Sequence, residues 1–197
     1  MLQPDVIFFS AARAHLVDLD RVARHDRRLV ITASALRRRF PDLIPFEDLE
    51  MKLTDLFLGE LEREAPLTHR ALERVPEGRD DWKPHAKSMP LGRLAALVAM
   101  MPAWLSMMID KDEFDLNPPG GSSSSFQRQF RTNKELVQAL DDAVAGARTA
   151  FQRTSDEHLM KPWRLLVAGK VVAEQPRHVM LRDSINHLAH HRGQLTV

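Results

Sequence analysis

From residue 51 onward, the apolar residues recur mostly at intervals of three and four positions, a pattern typical of amphipathic helices. The first predicted helix covers residues 53–74, and Pro66 is expected to kink it because proline cannot donate a backbone hydrogen bond. The second extends from Ser88, its expected N-cap, to Asp110. Each helix carries an apolar stripe, which predicts that one face of each is buried. The stripe of the second helix consists of leucine, valine and methionine residues, and that of the first consists of Leu53, Leu56, Phe57, Leu61, Leu67 and Leu72.

Two further helices are predicted in the second half of the chain. Thr132 and Glu135 match a capping box, in which the two side chains satisfy each other's free backbone N–H groups. A third helix is therefore expected from there to about Arg153. Pro176 suits the start of a fourth helix. That helix carries no capping signal before residue 197, so we expect the domain to be truncated at its C-terminus.

The segments between these helices contain turn and loop signals. Residues 163–167 and 170–173 flank Ala168-Gly169 and predict a small β-hairpin. Residues 117–125, rich in proline, glycine and serine, predict a long loop. Four long helices with these connections predict an all-α fold, an antiparallel four-helix bundle with a small β-hairpin before the last helix.

Residues 1–50 differ from the rest of the chain in containing eight arginines and no lysine. Amphipathic helices are predicted near residues 11–23 and 31–40. Consecutive arginines at positions 37–39 would suit a nucleic acid, but eight acidic residues balance the eight arginines of this segment. We therefore separate an N-terminal extension, residues 1–50, from a domain at residues 51–197. Alternatively, the protein starts at Met51 and the extension is upstream sequence read in frame.

The overall composition removes several classes of function. The 28 basic and 27 acidic residues give a net charge of +1, so no nucleic-acid partner is expected. No stretch of 18 apolar residues is present, which predicts no membrane partner. The absence of cysteine excludes disulfides, thiolate metal ligands and a cysteine nucleophile. With no secretory signal in the first residues, a cytoplasmic location is expected.

His187 and His191 are the strongest candidates for chemistry in the sequence. They are four residues apart in the fourth predicted helix, so their rings should be neighbours at the edge of its apolar stripe. Two imidazoles at this spacing can bind one metal ion, although a metal site normally needs three or more ligands. The alternative is that each ring is satisfied by a backbone carbonyl or a carboxylate. No glutamate separates them, so the metalloprotease motif is excluded.

Other residues near this motif are weaker candidates. A glycine within a helix, Gly193, costs about 1 kcal/mol relative to alanine, which suggests the close approach of another helix or of a ligand. Arg192 and Gln194 flank this glycine and are expected to make hydrogen bonds at the helix surface. Trp82 and Trp163 are expected to cap the core.

Several short motifs carry a family likeness, and residues 51–197 resemble the DinB/YfiT-like superfamily of bacterial four-helix-bundle proteins. The most specific motif is the fourth-helix sequence His187-x-x-x-His191-Arg-Gly-Gln194. The other resembling segments are Glu60-Leu-Glu-Arg63, Val75-Pro-Glu77, Asp81-Trp-Lys-Pro-His85 and Leu91-Gly-Arg-Leu94. Members of this superfamily continue for several more helical turns after this motif.

The resemblance implies a divalent metal ion, zinc or nickel, bound by three histidines. His187 and His191 correspond to the two ligands of the fourth helix. The third ligand, from the second helix, corresponds to Leu97, so the ligand set is incomplete in this sequence. His85 and His190 are the candidate substitutes.

The resemblance also implies two competing functions. Some members are metal-dependent transferases that join a small thiol to an electrophile, so this chain would bind a metal ion and a thiol cosubstrate. The alternative is a metal-free bundle that binds a small molecule or a protein partner after loss of the second-helix histidine. Homodimerisation through helix faces is compatible with either function.

Overall fold

The computed structural model describes residues 51–119 and 129–196. The predicted helices near residues 11–23 and 31–40, the arginines at positions 37–39 and most of the predicted loop lie outside the described residues. Six helices and three strands occur within the described ranges. They are α1 (Leu53–Leu72), α2 (Leu91–Met100), α3 (Pro102–Asp110), β1 (Glu113–Asp115), α4 (Asn133–Arg153), α5 (Asp156–Met160), β2 (Pro162–Val167), β3 (Lys170–Pro176) and α6 (Arg177–Leu195). The structure is therefore mostly helical with one small sheet.

The N-terminus of helix α1 is capped by the side chain of Asp156, the first residue of α5. The carboxylate of Asp156 accepts hydrogen bonds from the backbone N–H groups of Leu53 at 2.8 Å and Thr54 at 3.1 Å. These groups have no partner within the helix, so the carboxylate stabilises its positive end. The helix continues as one element across Pro66 and ends at Leu72, two residues before the predicted end.

The second predicted helix is two helices, α2 and α3, joined at a bend of 46°. Pro102 is the physical reason, because it has no N–H to donate to Val98 and its ring crowds that carbonyl. The expected N-cap was also wrong: α2 begins at Leu91 after Pro90, and Ser88 lies outside the helix.

Helix α4 begins and ends as the sequence predicts. Thr132 Oγ1 accepts a hydrogen bond from Glu135 N at 3.2 Å, which confirms the N-cap. The Glu135 carboxylate accepts from Arg131 N at 2.7 Å, one residue before the position that a standard capping box uses. On its outer surface, Arg148 forms a two-point ion pair with Glu62 of α1, at 2.7 and 3.1 Å.

The predicted hairpin is confirmed as β2 and β3, but it is part of a three-stranded sheet. Strand β1 pairs in parallel with β2, and the order is β1-β2-β3. The turn between β2 and β3 has positive φ angles at Ala168 and Gly169, and both of their N–H groups donate to the Asp115 carboxylate, at 3.0 and 2.7 Å. Asp115 therefore joins the new strand to the turn.

Polar contacts fix the direction of each long helix. Asn133, at the start of α4, donates to Glu73 and Glu77 just beyond the end of α1. At its other end, Arg153 pairs with Asp110 at the end of α3. Helix α4 thus runs antiparallel to α1 but parallel to α3. The parallel pair α3 and α4 therefore departs from the antiparallel bundle expected from the sequence.

The start of α6 is held by Arg177, whose side chain is 0% exposed. Its guanidinium donates to the carbonyls of Met108 at 2.6 Å, Lys111 at 3.1 Å and His158 at 3.2 Å, and it pairs with Asp112 at 2.7 Å. These carbonyls lie at the ends of α3 and α5, where backbone oxygens lack helical partners and carry partial negative charge. One buried cation therefore joins three helices.

The inward faces of the helices form one hydrophobic core that also includes Trp163 of β2. No single helix in the described ranges is both long and apolar enough to cross a membrane. Helices α2 and α3 reach that length and composition only when taken together across their bend.

Replacing Arg177 with methionine should lower the free energy of unfolding by about 3 kcal/mol or more, because each buried carbonyl left without a donor costs about 1–3 kcal/mol. Urea denaturation measures the change. Asp112→Asn is the matched control, because the Asp112 side chain is 85% exposed and its charge should contribute less than about 1 kcal/mol. Equal losses in the two variants would show that the ion pair, and not carbonyl capping, makes Arg177 important.

Candidate functional site

His187 and His191 lie side by side on α6, as their spacing predicts. Their ring centroids are 4.4 Å apart and the rings are inclined by 33°. The Nε2 atoms face each other at 2.6 Å. Both side chains are half-buried, and the edge of Trp104 from α3 packs against His187 at a centroid distance of 6.0 Å. The two nitrogens that could bind one metal ion therefore converge on one point.

Gln194 sets the tautomer of His191. Its Oε1 atom lies 2.7 Å from His191 Nδ1, and its Nε2 atom lies 3.1 Å from His190 Nε2. Because an amide oxygen only accepts, His191 Nδ1 carries the proton and His191 Nε2 presents a lone pair. In this state His187 Nε2 donates to His191 Nε2. The same tautomer of His191 is the one that a metal ion at Nε2 requires.

Both rings are held in the neutral form at physiological pH. Burial, reinforced by the neighbouring His191 and His190, lowers the pKa of His187 to about 4. Burial also lowers the pKa of His191, with the hydrogen bond to Gln194 acting in the opposite direction and His190 adding to the decrease. Neutral imidazole is the metal-binding form. His191 Nε2 already presents its lone pair, whereas the proton of His187 has to move from Nε2 to Nδ1 before His187 Nε2 can bind a metal ion.

Within the described ranges, no third ligand joins this pair, since no three His, Cys, Asp or Glu side chains there cluster closely enough to hold a metal ion. Leu97 packs against the core and is half-buried. Neither proposed substitute is placed to help: His190 is exposed and bonded to Gln194, and His85 is an exposed loop residue that accepts from Lys87 N at 3.1 Å. The donor set is thus two imidazoles.

A buried ion pair lies beside the histidines, between α1 and α6. Arg192 Nη1 is 2.5 Å from Glu64 Oε2 and donates to Thr68 Oγ1 at 3.2 Å. Glu64 is 7% and Thr68 0% exposed. Arg192 therefore makes an ion pair with Glu64 and a hydrogen bond with Thr68 on the same helix. The pair fixes the rotation of α6 about its axis, and with it the direction of both histidines.

Glu64 and Thr68 were not predicted from the sequence, although their spacing was a usable signal. Together with Phe57, Leu61 and Leu72 they continue one helical face at intervals of four, three, four and four. The predicted stripe instead included Leu56 and Leu67, which are 43% and 37% exposed. Glu64 and Thr68 therefore occupy positions of the buried face of α1, and polar residues at such positions indicate a buried polar contact.

Three other expectations were wrong. Arg192 is an ion-pairing residue between two helices and not a surface hydrogen bonder. Among the described residues, no other helix approaches Gly193 closely, because a Cβ atom added there would meet no atom of a neighbouring element within 4 Å. Gly92 fills that role, since an added Cβ would lie 2.9 Å from Asp80 Cβ. Trp163 is fully buried as expected, whereas Trp82 is 45% exposed and does not cap the core.

Two solved structures share this fold. A DinB-like protein of Bacillus subtilis aligns with a TM-score of 0.52 and 15% identity, covering 72% of this chain and 88% of that protein. A DinB-like protein of Bacillus cereus aligns with a TM-score of 0.53 and 21% identity, covering 71% and 86%. No protein-family model and no curated protein matches the sequence. These two alignments confirm the DinB-like fold that the family resemblance predicts.

In metal-free protein, the ring of His187 should stay neutral until the pH falls to about 4, which an NMR titration of its Cε1–H resonance measures directly. The unfolded chain takes up this proton near pH 6.5, so the unfolding free energy should decrease as pH falls from about 6.5 to 4 and stay flat above that range. Since the ring is half exposed, the loss should be roughly 1–2 kcal/mol.

His187→Gln should remove this part of the pH dependence, and His85→Gln, at an exposed loop position, should leave it unchanged. A His187 resonance that titrates near pH 6.5 would contradict the desolvated environment described for the ring.

Proposed function

We propose that this DinB-like protein binds a divalent metal ion, zinc or nickel, through Nε2 of His187 and Nε2 of His191. The observation that supports the proposal most strongly is the convergence of these two atoms at 2.6 Å. Metal–imidazole bonds of about 2.0–2.1 Å need the two nitrogens slightly further apart, which a small rotation of each ring provides. Gln194 would remain the hydrogen-bond acceptor of His191 Nδ1 and keep that ring oriented.

The overall arrangement that presents this site is an irregular four-helix bundle. We infer that α1, the bent pair α2–α3, α4 and α6 are its four members. The aligned DinB-like structures support this interpretation, since each covers more than 70% of the chain. In such a bundle, the histidines of α6 lie between the bend at Pro102 and the end of α1, where Trp104 and Glu64 meet the same helix.

With only two histidines, tight metal binding would require a further ligand from outside the protein. Two imidazoles leave at least two positions of a tetrahedral ion open, and affinity is weak until another donor occupies one of them. A metal ion held there lowers the pKa of a bound thiol, which is the chemistry that thiol transfer requires. We therefore propose derivation from a metal-dependent thiol S-transferase. The residues of this chain would orient the ion and exclude water from one side of it through Trp104.

Leu97 favours a second candidate function, a metal-free bundle that binds a small molecule or a protein partner. An isobutyl group at the position of the implied third ligand supplies no lone pair. The hydrogen bond between His187 and His191 already satisfies one polar atom of each ring without a metal ion. In this case the histidines are structural, and the ligand binds elsewhere in the molecule.

Equilibrium dialysis against Zn²⁺ or Ni²⁺, followed by elemental analysis, distinguishes the two candidates. The protein should be purified without a metal-affinity column. The metal proposal predicts about one ion per chain, lost in His191→Ala and retained in His190→Ala, the exposed neighbouring control. Equal loss in both variants, or no binding by the parent protein, would contradict it.

Leu97→His tests the incompleteness of the ligand set. A third imidazole beside the pair should increase metal affinity at least about tenfold, as supporting ligands typically do. Binding by Leu97→His but not by the parent would support the metal-free function, with a site disabled by one residue. Unchanged affinity would show that the second-helix ligand does not belong at position 97.

A further inference from the structure

A cleft of about 680 Å³ lies beyond the histidines, where the ends of α1 and α6 meet the start of α2. Four of its eleven lining residues are arginines: Arg70, Arg74, Arg79 and Arg192. Among the described residues, no carboxylate lines it. The proposed metal site does not include this cleft.

Three of the four guanidinium groups have no anionic partner among the described residues. Arg192 pairs with Glu64, but no ion pair or side-chain hydrogen bond in the described ranges involves Arg70, Arg74 or Arg79. All three side chains are exposed. Two nearby carboxylates have other partners: Glu77 accepts from Asn133 N at 2.9 Å, and Glu73 lies 3.5 Å from His69. Among the described residues, the lining of the cleft therefore carries three guanidinium groups outside any ion pair.

Stabilisation of helix ends explains only part of this charge. Arg70 and Arg192 lie in the last turns of α1 and α6, where a cation offsets a partial charge of about −0.5. Two such ends offset about one positive charge, and the start of α2 adds about +0.5. With Arg192 neutralised by Glu64, the other three arginines leave the lining residues and helix ends with a charge of about +2 to +3. Arg79 follows the helix in a loop, where no helix end requires it.

The rest of the lining is apolar and includes an aromatic surface. Trp82 is 45% exposed, which is unusual for a large aromatic side chain, and it lies beside Leu67, Leu91 and Leu195. An exposed indole offers a flat face for stacking on a planar ring. The volume lies within the range of about 300–1,000 Å³ that is typical of sites for small organic ligands.

We propose that this cleft binds an organic polyanion with a planar ring, with its negative groups on Arg70, Arg74 and Arg79 and its ring on Trp82. Guanidinium groups suit phosphate, sulfonate and carboxylate groups because they donate two parallel hydrogen bonds. The leucines contact the remainder of the ring. Arg192 joins this cleft to the histidine region, since it pairs with Glu64 and also lines the cleft.

The test uses pyrene-1,3,6,8-tetrasulfonate, a planar fluorescent tetraanion, with the full chain at physiological salt. The triple variant R70Q/R74Q/R79Q removes the three unpaired guanidinium groups. The matched control R153Q/R164Q/R182Q changes the net charge by the same amount at exposed arginines outside the cleft. Circular dichroism checks that both variants fold. Fluorescence anisotropy gives the dissociation constants.

The cleft variant should bind at least about a hundredfold more weakly than the parent, since each charge-assisted contact contributes about tenfold. The control should stay within about threefold, the difference that general charge attraction makes for exposed groups. Trp82→Leu should weaken binding about fivefold, and inorganic sulfate should compete poorly.

Equal weakening in the two triple variants would show attraction by net charge alone and overturn the proposal. So would a parent dissociation constant above about 1 mM. An unchanged Trp82→Leu variant, with sulfate competing as well as the tetrasulfonate, would overturn the aromatic part. None of these measurements depends on metal binding, so the result is separate from that of the histidine site.

Discussion

The buried guanidinium of Arg177 is the interaction on which the placement of the last helix depends. Its side chain joins three helices at one point. Helices α3 and α5 end there with carbonyls that lack a helical partner and accept from Arg177, and α6 begins there. A cation at the first position of a helix opposes the positive helix end, so Arg177 is unfavourable for α6 alone. The negative ends of α3 and α5, together with Asp112, offset that cost. The other end of α6 is held by Arg192 on Glu64 and Thr68. His187 and His191 lie between these two anchors.

The local signals in the sequence predicted local structure well. Thr132 caps α4, and Ala168-Gly169 forms the hairpin turn, because both depend on residues within a few positions of each other. Two misses were also local: Pro102 was overlooked within an apolar run, and Ser155, which caps α5 by accepting from His158 N, was not recognised. Strand β1 could not be predicted, since its three residues gain stability only by pairing with β2, about fifty positions away. Arg177 was missed for the same reason, although an arginine directly after the helix-starting Pro176 was a usable warning.

In the candidate site, too, contacts within one helix could be predicted from the sequence and contacts between helices could not. The spacing of His187 and His191 predicted their contact, and the motif that carries the DinB-like resemblance predicted the fold that the aligned structures share. The surroundings of the pair come from other helices, so the sequence did not reveal Trp104 at its edge or Glu64 beneath Arg192. The arginine cleft combines residues of α1, α6 and the loop before α2. Its charge was invisible in a net total of +1, because the balancing carboxylates lie elsewhere.

The central claim is that α6, held at both ends, aims two neutral imidazoles at one metal ion. The most direct test is a crystal of the protein soaked in Ni²⁺ or Zn²⁺ and measured at the metal absorption edge. One anomalous peak within about 2.1 Å of Nε2 of His187 and of His191, with Gln194 still bonded to His191, is the expected result. No peak at this position, with the two Nε2 atoms still hydrogen-bonded to each other, would contradict the claim and make the histidine pair structural.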